Sequence, residues 1–231
     1  MRLPVNTLTT LSCGVVLFLC GCHSGLSDSA ALVKPLSQLA TLTSNGERDN
    51  ERKLCVETAR SVAQAGHYAE AIKLYQRAEE LDPQANKFHA ELADLYRVDG
   101  RTDAAIERYR HALDNSGDTL ALYNNLVWCY LDAKRFEEGS RILAEALLEH
   151  PDAERLLAAR ACLCYHQGDH SKAYDHFKTL YGTAPALHNM ALLDLAAGDE
   201  AKAHERVSLA VALDDCPTET IALHESLSQL R

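Results

Sequence analysis

The sequence predicts an all-α fold in which helix–turn–helix segments of constant length stack on one another. Three observations predict it. Glycines recur at Gly66, Gly100 and Gly168, with Lys134 in the intermediate place, so that each step is 34 residues. Three further columns keep the same step: Ala71, Ala105, Gly139 and Ala173; Tyr75, Tyr109, Leu143 and Phe177; Ala78, Ala112, Ala146 and Leu180. Breakers close the segments at Pro83, Pro151 and Pro185, with Gly117 standing in once. A period of this length marks a helix pair that cannot bury its apolar face alone and stacks on copies of itself.

Residues 1–21 read as a signal peptide. MRLPVNTLTT carries Arg2 as its only charge, and no charge lies between Leu11 and Gly21. The apolar run is about ten residues, against roughly 20 for a membrane-spanning helix. It ends in Leu19-Cys20-Gly21-Cys22, which resembles the bacterial lipobox, with Cys20 where alanine or serine is commoner. The resemblance implies a lipoprotein anchored through acyl chains such as palmitate on Cys22. Each buried CH₂ of such a chain contributes about 0.8 kcal/mol. A plain signal peptide and a chance apolar N-terminus stay open. A zinc clip does not fit, because C-x-C supplies two ligands and no partner pair follows nearby.

Removing residues 1–21 leaves 210 of the 231, enough for a core. It takes the formal charge from −10 to about −11, since Arg2 is the only charge lost. That balance argues against nucleic acid and against a polybasic membrane contact. Beyond Cys22 five cysteines remain, at 55, 129, 162, 164 and 216. Their spacing is no disulfide framework, and a bridge between Cys129 and Cys162 stays open. Residues 22–50 read as a tether: HSGLSDS and TSNGERDN are polar and turn-rich around AALVKPLSQLA, with room for one short docked helix.

The array spans 51–217, in segments 52–85, 86–119, 120–153, 154–183 and 184–217. Ala59, Ala93, Ala161 and Ala191 let first helices approach their partners closely. Tyr96, Tyr109, Tyr123, Tyr130 and Phe177 fill the space between segments. Gly66, Gly100 and Gly168 supply left-handed turns. The fifth segment follows after a step of 30 (Gly198, Ala203, Val207, Ala210). The missing four residues belong to the second helix of the fourth segment or to the loop after it. Residues 218–231, with Ile221, Leu223, Leu227 and Leu230, read as a capping helix.

GHYAEAIKLYQRAEELDP (66–83) and ELADLYRVDGRTDAAIERYRHAL (91–113) resemble the tetratricopeptide repeat, and the resemblance covers roughly residues 52–217. It implies a superhelical solenoid of about five repeats with a concave groove, lined by first helices, for a protein or peptide partner. It implies no catalysis and no cofactor. Carried onto this sequence, the family's groove positions fall on Arg60, Lys87, Asp94, Arg97, Asn124, Asn125, Trp128, Leu131, Arg155 and Tyr165. Trp128 is the only tryptophan, and packing against a neighbouring repeat is its alternative role. Some relatives hold a C-terminal carboxylate in a clamp whose places here hold Ala90, Asp94, Asn125, Arg155 and Ala159. Asp94 would repel a carboxylate, so that clamp is rejected.

His166, His170 and His176 lie near Asp169 and Asp175, but Gly168 interrupts them, and metal sites need three or four convergent ligands. No metal is expected there. The expectation is a lipid-anchored scaffold of the cell envelope, on the outer membrane facing the periplasm rather than the inner membrane, since His23 and not an aspartate follows Cys22. In design it is similar to repeat lipoproteins serving type IV and Tad/Flp pilus assembly. An adaptor for cell-wall enzymes or outer-membrane protein assembly is the alternative. A metal-dependent enzyme at His166–His176 is a third, less favoured reading.

Overall fold

The structure is a computed structural model that describes residues 45–83, 87–115 and 119–229. The signal segment, Cys22 and the tether up to residue 44 lie outside the described residues. Eleven helices and no strand occur among those described. They are α1 (Asn45–Gln64), α2 (Tyr68–Leu81), α3 (His89–Val98), α4 (Thr102–Leu113), α5 (Leu120–Asp132), α6 (Phe136–Glu149), α7 (Glu154–His166), α8 (His170–Tyr181), α9 (Thr183–Ala196), α10 (Glu200–Val211) and α11 (Thr218–Gln229). None is long and apolar enough to cross a membrane.

The chain forms two compact bodies, and the division falls inside α6, between Ile142 and Leu143. In the N-terminal body α1 packs on α2, α2 on α3, α3 on α4 and α4 on α5. Its core follows the alanine and tyrosine columns: Ala59, Ala71, Ala78, Ala93 and Ala105 beside Tyr75, Tyr96, Tyr109 and Tyr130. Alanine at the crossings lets the helix backbones approach, and the aromatic rings fill the remaining volume. In the C-terminal body α7 packs on α8, α8 on α9, α9 on α10 and α10 on α11. Ala191, Ala203, Val207 and Leu227 join α9, α10 and α11 in one apolar cluster.

Five turns share one hydrogen-bond pattern. In each, the N–H of the residue after the turn donates to a carbonyl five residues back: His67 to Val62, Arg101 to Tyr96, Arg135 to Tyr130, Asp169 to Cys164 and Asp199 to Asp194, at 2.8–2.9 Å. This pattern needs a left-handed residue just before the donor. Gly66, Gly100, Gly168 and Gly198 supply it, and at the remaining turn Lys134 adopts φ 57°.

The structure sharpens the sequence reading in three places. α1 begins at Asn45, so residues 45–50 are helix and not tether. Glu51 explains the extension: it is 3% exposed and accepts from Arg77 of α2 at 2.9 Å. The shortening after the fourth repeat lies in the connection, where the single residue Gly182 joins α8 to α9. Pro185 therefore sits in the first turn of α9, where a missing N–H leaves no bond unmade. In α11 Thr220 and Leu227 are buried and Ile221 is exposed, while Leu230 lies outside the described residues.

Candidate functional site

α3, α4 and α5 bring three side chains of the N-terminal body together around Asp94. The Tyr109 hydroxyl, from α4, donates to Asp94 Oδ1. Asn125 Nδ2, from α5, donates to the same oxygen at 3.2 Å. Asn124 Nδ2 donates to Asn125 Oδ1 at 3.4 Å. Tyr109 is fully buried, while Asp94 is exposed at the surface of α3. Burial first, and the Asp94 hydrogen bond second, push the Tyr109 phenol far above its ordinary range. The hydroxyl therefore stays a donor at any physiological pH, and it fixes the rotation of the carboxylate it serves.

Trp128 is half-buried on α5, one turn from Asn124 and Asn125. Arg97 is half-buried one turn beyond Asp94. Lys87 and Arg60 are exposed, and the Arg60 guanidinium acts on the Tyr75 phenol against the upward push of burial. Two of the carried-over positions are closed against the protein itself. Leu131 is 6% exposed and packs inward. Tyr165, also 6% exposed, donates its hydroxyl to Asp194 Oδ1 at 2.7 Å. Arg155 is exposed on α7, in the C-terminal body. The structure thus gathers Asp94, Asn124, Asn125, Arg97 and Trp128 on α3 and α5, and leaves Arg155 and Tyr165 in the other body.

Sequence reasoning missed the centre at Asp194. This carboxylate is 1% exposed, with Tyr165 on Oδ1 and Arg206 Nε on Oδ2 at 2.6 Å. A signal existed: Asp194 occupies the column that holds Tyr96, Tyr130 and Cys164, where a charge is out of place. A buried carboxylate persists only when paired and hydrogen-bonded, so a cation on a neighbouring helix was required.

No group of three or more His, Cys, Asp or Glu side chains converges as a metal site among the described residues. His166 and His170 stand edge-on to the Tyr165 ring, with centroids at 5.6 and 4.5 Å. Asp169 caps α8, accepting from Lys172 N at 3.2 Å and pairing with its ammonium at 2.7 Å. Cys129 and Cys162 are buried thiols that are not joined in a disulfide.

Helix pairs with these turns and this spacing define a helical-repeat protein, and tetratricopeptide-repeat models match residues 56–119 and 97–163. The chain has an all-α fold and carries tetratricopeptide repeats over residues 56–163. It is similar to the type IV pilus assembly protein PilF of Pseudomonas aeruginosa, at 25% identity over 133 residues. That match spans 57% of this chain and 53%, about half, of the relative's length. The solved structure of PilF from that organism superimposes with a TM-score of 0.51 at 21% identity, covering 79% of this chain and 85% of PilF. A thermophilic repeat protein of Thermus thermophilus superimposes with a TM-score of 0.52 at 19% identity, covering 77% of this chain and 99% of the other. At these identities the structural matches carry the fold alone.

Proposed function

We propose that this protein is an envelope scaffold, held on the outer membrane by a lipid on Cys22, that binds a protein or peptide partner along α3 and α5 and serves pilus assembly. One observation carries the binding reading: the exposed carboxylate of Asp94 is held in one orientation by Tyr109 and Asn125, and half-buried Trp128 lies one turn along α5 from Asn125. The contact satisfies a buried hydroxyl and at the same time holds an exposed carboxylate in one orientation. It lowers the entropic cost of receiving a ligand. The relation to PilF supports the pilus setting, and the Leu-Cys-Gly-Cys sequence supports the anchor.

Two experiments test this. Cys22→Ala should release the protein from membranes. If it stays bound with its signal cleaved, the lipid anchor is wrong. Tagged wild type, extracted in mild detergent, should retain a secretin or another pilus component that Trp128→Ala loses. Retention of that component by Trp128→Ala removes the binding face. Recovery of cell-wall or barrel-assembly proteins in its place removes the pilus assignment.

A further inference from the structure

Among the described residues two aspartates receive a tyrosine hydroxyl on Oδ1, and they differ at Oδ2. At Asp194 Oδ2 is filled by Arg206 Nε at 2.6 Å, and the side chain is closed from solvent. At Asp94 both donors, Tyr109 and Asn125, fall on Oδ1. No ion pair or hydrogen bond reaches Asp94 Oδ2 among the described residues, and the side chain is exposed. The C-terminal body thus contains the filled form of an arrangement that the N-terminal body leaves open. The filled form names the chemistry that fits: a guanidinium or ammonium approaching the second oxygen of an oriented carboxylate.

We infer that Asp94 receives a cationic side chain, arginine or lysine, from the partner segment lying along α3 and α5. The inference rests on the binding face proposed above and specifies what that face selects. The charges around Asp94 are compatible with it. Within one turn on α3 lie Glu91, exposed, and Arg97, half-buried; α5 carries no cation and ends on Asp132. The charge of Arg97 already acts on Tyr109 and on Asp132, so it does not serve Asp94 alone. Trp128 supplies an aromatic surface on which the apolar stem of such a side chain, or a guanidinium, can lie. An acidic segment would meet the Asp94 charge head on.

The test uses the full-length protein in detergent and two fluorescent peptides of equal length in one Ala-Ser host. One carries arginines and the other glutamates at the same positions. Binding is read by fluorescence anisotropy, with circular dichroism confirming that each variant keeps its helicity. Asp94→Asn retains an oxygen for Tyr109 and removes the charge; it should weaken the arginine peptide about tenfold. Glu107→Gln removes the same charge from an exposed place on α4 and should leave affinity within about twofold. Asp94→Arg should turn the preference toward the glutamate peptide.

Equal losses in Asp94→Asn and Glu107→Gln would reduce the effect to net charge and overturn the inference. So would a glutamate peptide that binds wild type as tightly as the arginine peptide. If Trp128→Ala weakens binding and Asp94→Asn does not, the face survives and its cation selectivity falls. If neither matters, both fall.

Discussion

The two bodies tie their helices together in different ways. In the N-terminal body the ties are ion pairs between helices: Glu51 with Arg77 at 2.9 Å within the first helix pair, and Glu79 with Arg108, from the first repeat to the second, through both guanidinium nitrogens at 3.0 and 3.2 Å. The helices α2 and α4 start at His67 and Arg101 without a side-chain cap. In the C-terminal body one sealed centre, Tyr165–Asp194–Arg206, joins α7, α9 and α10. There α8 and α10 are capped by Asp169 and Asp199. The lesson concerns where polar groups are at risk. Arg77 keeps 43% exposure and can fall back on water when its pair is broken, whereas Asp194, at 1%, cannot.

Asp194→Ala tests that contrast with the largest expected effect. It leaves the Tyr165 hydroxyl and the Arg206 charge without a partner around a position that is 1% exposed, although the Arg206 side chain itself keeps 23% exposure. Breaking a buried pair in this way costs about 3–5 kcal/mol. Asp94→Ala strands the buried Tyr109 hydroxyl, while Asn125, whose bond to Asp94 is exposed, can turn to water; it should cost about 1–2 kcal/mol. Urea denaturation of the two variants decides. Similar losses would mean that the two centres are energetically alike, and the sealed-versus-open contrast would collapse.

Next comes Gly182, the one-residue joint of the C-terminal body. Its φ of 91° and ψ of −179° lie in a region open almost only to glycine, and an added Cβ would meet Asp215 Oδ2 at 3.3 Å. Gly182→Ala should cost about 1–3 kcal/mol. At the N-terminal turns Gly66 and Gly100 have nothing within 4 Å of an added Cβ. Alanine there should cost about 1 kcal/mol, from the left-handed backbone alone. Thermal melts that rank Gly66→Ala above Gly182→Ala would show that the short joint is not under tighter constraint.

Within the N-terminal body two tyrosines of one column separate a used hydroxyl from an idle one. Tyr96 accepts from Gln76 Nε2 at 2.9 Å. The hydroxyl of Tyr130 is buried without a hydrogen-bond partner, and its ring lies under Arg135 and Arg110 at 5.0 and 5.9 Å. Tyr96→Phe should cost about 0.5–1 kcal/mol. Tyr130→Phe should be neutral or slightly stabilising, since it removes a desolvated group and keeps the ring for its cations. A loss at Tyr130 matching that at Tyr96 would place a bonding partner on its hydroxyl.

These pairs also mark what the sequence could reveal. The helix pairs and turns were legible because the 34-residue columns repeat, and even Lys134 announced itself as the wrong residue in a glycine column. The start of α1 was not legible. NGERDN is a turn-rich string, and the partner that holds Glu51 lies 26 residues on. Among the candidate site residues, Asn125 and Trp128 share a face of α5 by helical spacing, and Asp94 holds on α3 the place that Trp128 holds one 34-residue step later. The register could not show that Leu131 and Tyr165 turn inward, because that depends on what their neighbours leave unfilled. Nor could it tell Tyr109, a packing residue by its column, from the donor that orients Asp94.

The smallest effect expected is on pH dependence, and it again divides the bodies. Burial first, then the Arg108 charge, holds the His89 imidazole below its ordinary value; Arg108 Nη1 lies 3.3 Å from His89 Nδ1. Glu79, from α2, opposes this, while His111 and Lys87 add to it. In the C-terminal body His188 is lowered by burial, with Glu219 opposing and no cation adding to the shift; its Nδ1 lies 3.0 Å from the Thr220 hydroxyl. A depressed folded value means that the native state favours the neutral ring. The stability it contributes is therefore present above the unfolded value of about 6.5 and is lost as pH falls through the folded value. His89→Gln keeps an acceptor for Arg108 and cannot protonate, so it should flatten the acid-side fall between about pH 7.5 and 5.5. His188→Gln should flatten it too, and its effect should persist when Arg108→Gln is combined with it, whereas the His89 effect should shrink. Stability measured across that range in the single and double variants separates repulsion by a guanidinium from burial alone. If the His89 effect is indifferent to Arg108, burial governs both histidines, and the two bodies respond to acid in the same way.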